Sequence, residues 1–262
     1  MMSVPPLRDA KALQVGAVPA VAAYVGDELV WSAGPPPPPP EPPEFVDANA
    51  TGRSAATGQI ALGAGSGVAD DVTLVAILLR KHMSLSVPSG WTELSGSPWD
   101  DEQSATSMRV RVFWRTLTGG ESSSDFIFVT STGDTPDSRA SGARATYRNT
   151  PGPARHAANT TGQTNTVSTG ELTDAPANVR WVSFLAGGLG VDVNVGTPSP
   201  STSRAHARDG TGTSPVLPVR VSDDAPTENS SGVRSAPAST DDGASDANGT
   251  VGVLIELELG GG

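Results

Sequence analysis

The chain has 262 residues and a mass of 26.6 kDa, a length that suits one large domain or two small ones. Its net charge of −11 and pI of about 4.6 argue against a nucleic-acid partner, because neutralising phosphates needs clustered Lys and Arg. The absence of cysteine excludes disulfides, a thiolate nucleophile and Cys-ligated zinc. Gly 30 and Pro 23 fill about a fifth of the chain, yet the apolar residues are gathered into short runs, as a packed core requires. None of those runs approaches the ~18 residues that cross a bilayer, so no membrane insertion is expected.

Residues 1–33 form a first unit. Arg8 and Lys11 precede an apolar stretch, and Ala20-Val21-Ala22 mimics a signal-peptidase site, but Gly16 and Pro19 interrupt the stretch and argue against a secretory leader. Residues 18–25 and 28–33 flank Gly26-Asp27, a two-residue hairpin signal. This pairing sets Tyr24 opposite Leu29 and Ala22 opposite Trp31, giving the hairpin one apolar, aromatic face. Two strands alone are marginal in water, so Tyr24, Leu29 and Trp31 are the expected docking residues for a partner.

Residues 34–44 form the second unit, a linker with six consecutive prolines. Such a run enforces polyproline II, and a rise of about 3.1 Å per residue makes a stiff spacer of about 30 Å.

Residues 45–262 read as an all-β domain, a jelly-roll-like antiparallel β-sandwich. In residues 107–117, Met108, Val110, Val112 and Trp114 alternate with Arg109, Arg111 and Arg115, which share their face with Phe113. Residues 142–148 alternate likewise, with Ala143, Ala145 and Tyr147 inward and Arg144 and Arg148 outward. In residues 178–186, Val179, Trp181 and Leu185 fall on one side. In residues 250–259, Val251, Val253, Ile255, Leu257 and Leu259 point inward and Glu256 and Glu258 outward. Residues 72–79 are apolar on both faces, which suits a central covered strand or a short buried helix. Residues 126–130 make a short aromatic strand, and weaker candidates are 59–62, 91–94, 164–172, 215–221 and 232–237. The segments between them are rich in Ser, Thr, Gly, Asp and Asn, notably 132–138, 197–212 and 241–249, and loops of that length are commonly functional. No internal repeat is apparent.

No catalytic constellation emerges, and neither an enzyme nor a cofactor is expected. His82, His156 and His206 lack metal-ligand spacing. Ser66, in Gly63-Ala64-Gly65-Ser66-Gly67, is not flanked as a nucleophile elbow requires. Asp241, Asp242, Asp246 and Asn248 gather oxygen ligands without EF-hand spacing and read as a solvated acidic loop, as do Asp70-Asp71 and Asp100-Asp101-Glu102. Trp91, following a Pro88-Ser89-Gly90 turn, and Trp99, beside Asp100 and Asp101, are the candidates for glycan stacking, with packing into the core as the alternative for each.

Together these segments resemble the minor tail proteins of actinobacterial tailed phages. The stretch Ala23-Tyr24-Val25-Gly26-Asp27-Glu28-Leu29-Val30-Trp31 is similar to the hairpin near the start of those proteins. After the Pro-rich spacer, Pro88-x-Gly90-Trp91-Thr92, Phe113-Trp114-Arg115, Gly119-Gly120-Glu121, residues 126–130 and Ala145-Thr146-Tyr147-Arg148 follow in the family's order. The resemblance covers roughly residues 20–150. It implies a structural virion component made in the host cytoplasm, at the tail or its tip, with a role in host attachment and no cofactor. Its partners would be other virion proteins, reached through the N-terminal arm, and a host-surface glycan. The protein would be a homo-oligomer, and a trimer would let the polyproline struts run side by side. The alternatives are a capsid decoration or fibre protein, and a carbohydrate-binding module outside any virion.

Overall fold

The structure is a computed structural model that describes residues 14–15, 18–19, 22–25, 28–32, 40–80, 82–100, 108–131, 139–161, 166–188, 193–209, 217–227, 229–240 and 249–259. The chain divides into two compact units, Met1–Pro39 and Pro40–Gly262.

In the first unit β1 (Gln14–Val15) pairs with β2 (Val18–Pro19), and β3 (Ala22–Val25) with β4 (Glu28–Ser32), both antiparallel. The β3–β4 ladder brackets Gly26-Asp27 and pairs Tyr24 with Leu29, as the hairpin signal predicts. The expected Ala22–Trp31 pair is not formed. The register shifts between Ala23 and Tyr24, so Ala23 meets Trp31 and Ala22 meets Ser32. Val30 is the extra residue of a β-bulge, a device that two-residue turn counting cannot foresee. The side chains of Tyr24, Leu29 and Trp31, and with them the expected apolar face, lie outside the described residues, as do residues 34–39 of the polyproline run.

Among the described residues the second unit is all β apart from one 3-10 turn, Ser123–Phe126. Its first half contains β5 (Glu44–Gly52), β6 (Gln59–Ala61), β7 (Val72–Arg80), β8 (Leu85–Ser86), β9 (Thr92–Glu93), β10 (Trp99–Asp100), β11 (Met108–Thr116), β12 (Ile127–Thr130) and β13 (Ala140–Arg148). The second half contains β14 (Pro153–Thr161), β15 (Thr166–Ser168), β16 (Arg180–Gly187), β17 (Val193–Val195), β18 (Thr202–Asp209), β19 (Leu217–Asp224), β20 (Ser235–Thr240) and β21 (Thr250–Leu257). A large antiparallel sheet in the first half runs β5-β13-β7-β11-β10, with β9 also beside β11, and a small one runs β6-β12-β8. The second half has a large sheet β14-β21-β16-β19-β18 and a small sheet β15-β20-β17. Leaving β9 aside, both halves follow one order: strands first-eighth-third-sixth-fifth in the large sheet and second-seventh-fourth in the small one. That is jelly-roll-like connectivity, with the fifth strand beside the sixth in the large sheet instead of beside the fourth in the small one. The domain expected over 45–262 therefore contains the same topology twice, although no repeat is apparent in its sequence.

The halves pack through their large sheets. Leu74, Ala76, Leu78, Met108, Val110, Val112, Ala143, Ala145 and Tyr147 from the first meet Val182, Phe184, Ala186, Leu217, Val219, Val221, Val253, Ile255 and Leu257 from the second in one central core. The outer face of each large sheet is covered by its small sheet. In the first half Val75, Ile77, Leu79 and Phe113 pack on Ile60, Leu62, Phe126 and Phe128. In the second, Leu185 packs with Val167, Val195 and Ala236, and Trp181 with Leu172, Val179 and Leu254.

This layering explains β7, the run apolar on both faces, whose residues are all buried. It also corrects the faces assigned to Arg144 and Glu256, which are buried rather than directed to water. Arg144 lies under the first small sheet and bonds Asp47 at 2.7 Å, and Glu256 pairs with Arg155. Alternation marks two faces but does not say that the second is wet. Residues 202–209, expected within a loop, form β18, an edge strand too polar to stand out.

Glycine marks the closest approach between layers. A Cβ on Gly252 in β21 would stand 2.3 Å from the Ser168 carbonyl oxygen and 2.8 Å from the Thr169 nitrogen, both backbone atoms. A Cβ on Gly142 in β13 would meet side-chain ends of Ile60 and Ile77 at 2.8 and 2.9 Å, which can shift. Gly252→Ala should therefore cost more than Gly142→Ala, at the upper part of the ~1–3 kcal/mol range of overpacking. Urea midpoints of the two variants check the order, and equal losses would refute it.

Antiparallel pairing gives the sandwich two distinct ends. Residues Glu44, Val72, Thr116, Arg148, Pro153, Arg180, Asp224 and Leu257 lie at one end, hereafter the base. Gly52, Arg80, Met108, Ala140, Thr161, Gly187, Leu217 and Thr250 lie at the distal end. The two halves point the same way: Arg204 stacks on Phe45 at the base, and Ser141 Oγ donates to the Leu217 carbonyl at 2.6 Å at the distal end.

Candidate functional site

The base is where the chain enters the sandwich, crosses from one half to the other and completes its last strand. A charged cluster is buried there between the halves. The Asp223 carboxylate, fully buried near the end of β19, accepts from Arg204 Nε at 2.7 Å and from Arg180 Nη1 at 3.1 Å. The Arg204 guanidinium carbon lies 4.0 Å from the centroid of the Phe45 ring, which meets Tyr147 edge-on at 5.9 Å. Burial, with the Asp223 charge beside it, holds the Tyr147 phenol well above its usual pKa, and its hydroxyl makes no hydrogen bond of good geometry. Next to this cluster Arg234 forms a bidentate pair with Asp224 and stacks on Trp181 at 4.7 Å.

The same cluster grips the incoming chain. Arg180 Nε donates to the Pro43 carbonyl at 2.9 Å, and Asn149 Nδ2 donates to Glu41 Oε2 at 3.2 Å. Pro43 is buried. The last residues of the spacer are thus tied to β16 and to the turn between the halves.

The loops at the base are stapled by carboxylates. Glu121 accepts the Thr118 and Gly119 amides at 2.6 and 3.0 Å and the Arg115 guanidinium at 3.1 Å. Burial alone would raise its pKa, but these donors hold it below the usual carboxylate value. Asp47 behaves likewise: Arg144 and the Ser66 amide outweigh the burial. Asp71 accepts the Val68 amide at 3.0 Å and lies 3.6 Å from Arg148. Ser66 thus belongs to a turn closed on Asp47, and Asp71 to a loop staple.

The distal end differs. Eight pairs of consecutive described strands end and begin there, on either side of residues 53–58, 81–84, 101–107, 131–139, 162–165, 188–192, 210–216 and 241–249, most of which lie outside the described residues. Several of these segments are small and polar in sequence, as in Ser131-Thr132-Gly133-Asp134 and Asp241-Asp242-Gly243-Ala244-Ser245, whereas residues 81–84 read Lys-His-Met-Ser with Met83 buried. The acidic group Asp241, Asp242, Asp246 and Asn248, together with Asp101 and Glu102, lies outside the described residues.

Trp91 is half-buried over the first small sheet. Its Nε1 donates to the Asp125 carbonyl at 2.9 Å, and its ring packs on Phe126 and Phe128 at 5.6 and 5.4 Å, with the Arg115 guanidinium carbon 5.6 Å away. Those are the contacts of a turn anchor. Trp99 lies where β10 approaches β14, half-buried against the rim of the central core and 6.1 Å from the His156 ring. The two tryptophans thus lie on different faces and form no common platform. His82 is exposed, and His156 Nε2 lies 2.7 Å from the Ser95 carbonyl oxygen. Among the described residues no group of three His, Asp or Glu side chains could hold a metal ion, and no helix is long and apolar enough to cross a membrane.

His206, in β18, titrates abnormally. Burial, reinforced by the positive charges of Arg220 and Arg208, lowers its pKa to about 4 from 6.5. The folded chain therefore binds fewer protons at this site than the unfolded chain between those values, so stability falls as pH drops through that window. The depressed carboxylates Asp47, Glu93 and Glu121 act lower, losing their contribution as pH falls below the usual carboxylate range. His206→Gln should flatten the decline in urea midpoint between pH 6.5 and 4.5. An unchanged slope would remove His206 from the account.

The sequence singled out neither Asp223, Arg180 and Arg204 nor Tyr147 as a cluster. Its only trace was Asp223-Asp224 following an apolar alternation, which reads equally as a solvated strand end. No family model, curated protein or solved structure matches this chain.

Proposed function

We propose that this protein is a structural component of a tailed-phage virion, a minor tail protein at the tail or its tip. In this reading the N-terminal arm docks on a neighbouring virion protein through Tyr24, Leu29 and Trp31. The polyproline run spaces the sandwich from that seat, and the distal loops are presented to the host surface, where a glycan is the contact. The protein works as a homo-oligomer, so that repeated weak contacts add by avidity.

The observation that carries this reading is the polarity of the sandwich. The last residues of the spacer are gripped at the base by Arg180 and Asn149, while most of the segments that join strands at the opposite end are rich in small, polar residues. An anchor entering at one end and loops at the other suit an attached, displayed part. The buried carboxylates and arginines of the base are occupied by one another and by the spacer, which suits a mechanical joint. The resemblance of residues 20–150 to phage minor tail proteins points the same way.

Trp31→Ala should deplete the protein from assembled particles, read by quantitative mass spectrometry of purified virions, while circular dichroism of the isolated protein keeps its β signature. Full incorporation of the variant would end the proposal. Mass-resolved chromatography of the purified chain tests the oligomer, and glycan-array binding by a monomer that depends on Trp99 would favour a carbohydrate-binding module instead.

A further inference from the structure

We infer that the sandwich is a fused dimer: the large-sheet face of each half is a docking surface whose partner is a second jelly roll of the same kind, and the covalent link through residues 149–152 is not needed to hold the two together. Shared strand order alone could arise twice independently, but the correspondence extends to single residues. Ala76 in β7 lies between Val112 and Ala143 as Phe184 in β16 lies between Val221 and Val253, a displacement of about 108 residues along the chain. Val110-Arg111-Val112 and Val219-Arg220-Val221 occupy the same register on the sixth strand. The first strand of each half carries one extra residue at the same place. Val46 is unpaired opposite Thr146 and Tyr147, and Ala154 opposite Glu256 and Leu257. Gly142 and Gly252 are each the third residue of the eighth strand and each admit the second strand at close range. Ser97-Pro98 and Ser199-Pro200 both stand just before the fifth strand.

The contact between the halves is reciprocal. The first strand of one half lies over the fifth of the other on both sides, β5 with β18 and β10 with β14. That is the arrangement of an isologous dimer about a twofold axis. The axis runs along the strands, since corresponding ends coincide at base and distal end. It also brings the end of the second half beside the start of the first. Leu257 is the register partner of Arg180, whose side chain bonds the Pro43 carbonyl.

The two faces differ in volume at matching positions, in both directions. Ala76, Ala143 and Ala145 in the first half stand where Phe184, Val253 and Ile255 stand in the second, whereas Leu74, Leu78 and Tyr147 stand where Val182, Ala186 and Leu257 do. The faces are thus no longer copies of one another, and each is fitted to the other half rather than to a second copy of itself.

The test inserts a protease site at exposed Pro151 in the full-length protein. After cleavage, native mass spectrometry should find the two fragments in equal copy number in a single species, and they should reassemble in the same ratio after dilution from urea. Separate fragments, or a species made of one half alone, would overturn the inference. Should the insertion itself unfold the chain, a full-length permutant decides: residues 1–39, then 151–259, a short linker, then 40–150. It should keep the parent's circular dichroism and melt in one cooperative step, and an aggregated or unfolded permutant would overturn the inference.

Discussion

Replacing Asp223 with alanine should destabilise the sandwich by about 3 kcal/mol, near the lower end of the cost of removing one partner from a buried ion pair. The carboxylate is fully buried and serves Arg180 and Arg204 together, whose side chains are only 20% and 24% exposed. Without it two cations face each other in the seam between the halves. Arg180 retains the Pro43 carbonyl and Arg204 the Phe45 ring, and their partial hydration keeps the loss from the top of the range. For a domain of this size the change corresponds to a thermal midpoint lower by roughly 6–12 °C. Asp223→Asn keeps the shape and one acceptor oxygen and should lose less. Calorimetry of both variants checks this, and a wild-type midpoint for Asp223→Ala would mean that the cluster contributes nothing to cohesion. Because Arg180 also holds Pro43, the alanine variant should make the end of the spacer more sensitive to limited proteolysis.

The second large effect is expected at Phe184, which is buried in the central core that the two halves share. Phe184→Ala should cost about 3–5 kcal/mol, the transfer term of the ring plus that of an unfilled cavity. The opposite face contributes Ala76, Ala143 and Ala145 to the same core, side chains with no rotamers that could reach into the space, which limits relaxation. Urea unfolding followed by tryptophan fluorescence should give an earlier but still single transition, since the lost packing belongs to both halves. A loss below about 1 kcal/mol would place the ring outside the load of the core, in the range of ordinary surface substitutions. Two separated transitions would show that the halves unfold independently of the seam.

Strands with period-two alternation were legible from residues alone. Met108, Val110 and Val112 face the central core as their spacing predicts, and so do Ala143, Ala145 and Tyr147. β7 was legible as a covered strand because an unbroken apolar run leaves no wet face. Of the strands of the second unit that escaped notice, β5, β10, β14 and β18 are edge strands of the large sheets and β8 and β17 of the small ones; β5, β14 and β18 carry mixed Ala, Asn, Thr, Ser and Arg side chains. An edge strand is held by backbone pairing to one neighbour, which leaves little mark on composition. The bulges at Val30, Val46 and Ala154 were invisible for a similar reason: each changes pairing without requiring a particular residue.

The candidate site was legible only in part. Turn chemistry marked Trp91 as either an anchor or a stacking surface, and its bond to the Asp125 carbonyl belongs to the anchor. The base cluster draws on Pro43, Phe45, Tyr147, Arg180, Arg204 and Asp223, which come from five separate stretches of the chain. No spacing rule connects such residues, because contacts in a jelly roll join strands that are distant in sequence.

Composition and periodicity by themselves determined that this chain is all β, that it carries no thiol, and which residues of the strongest strands point inward. These follow from local physics, the two-residue repeat of a pleated strand and the charge of the side chains. Tertiary structure alone decided that one topology occurs twice, that both faces of each large sheet are covered, and that Arg144 and Glu256 are buried ion-pair partners. Those properties depend on what lies across a sheet, and a strand's own sequence specifies two faces without naming the layer that covers either of them.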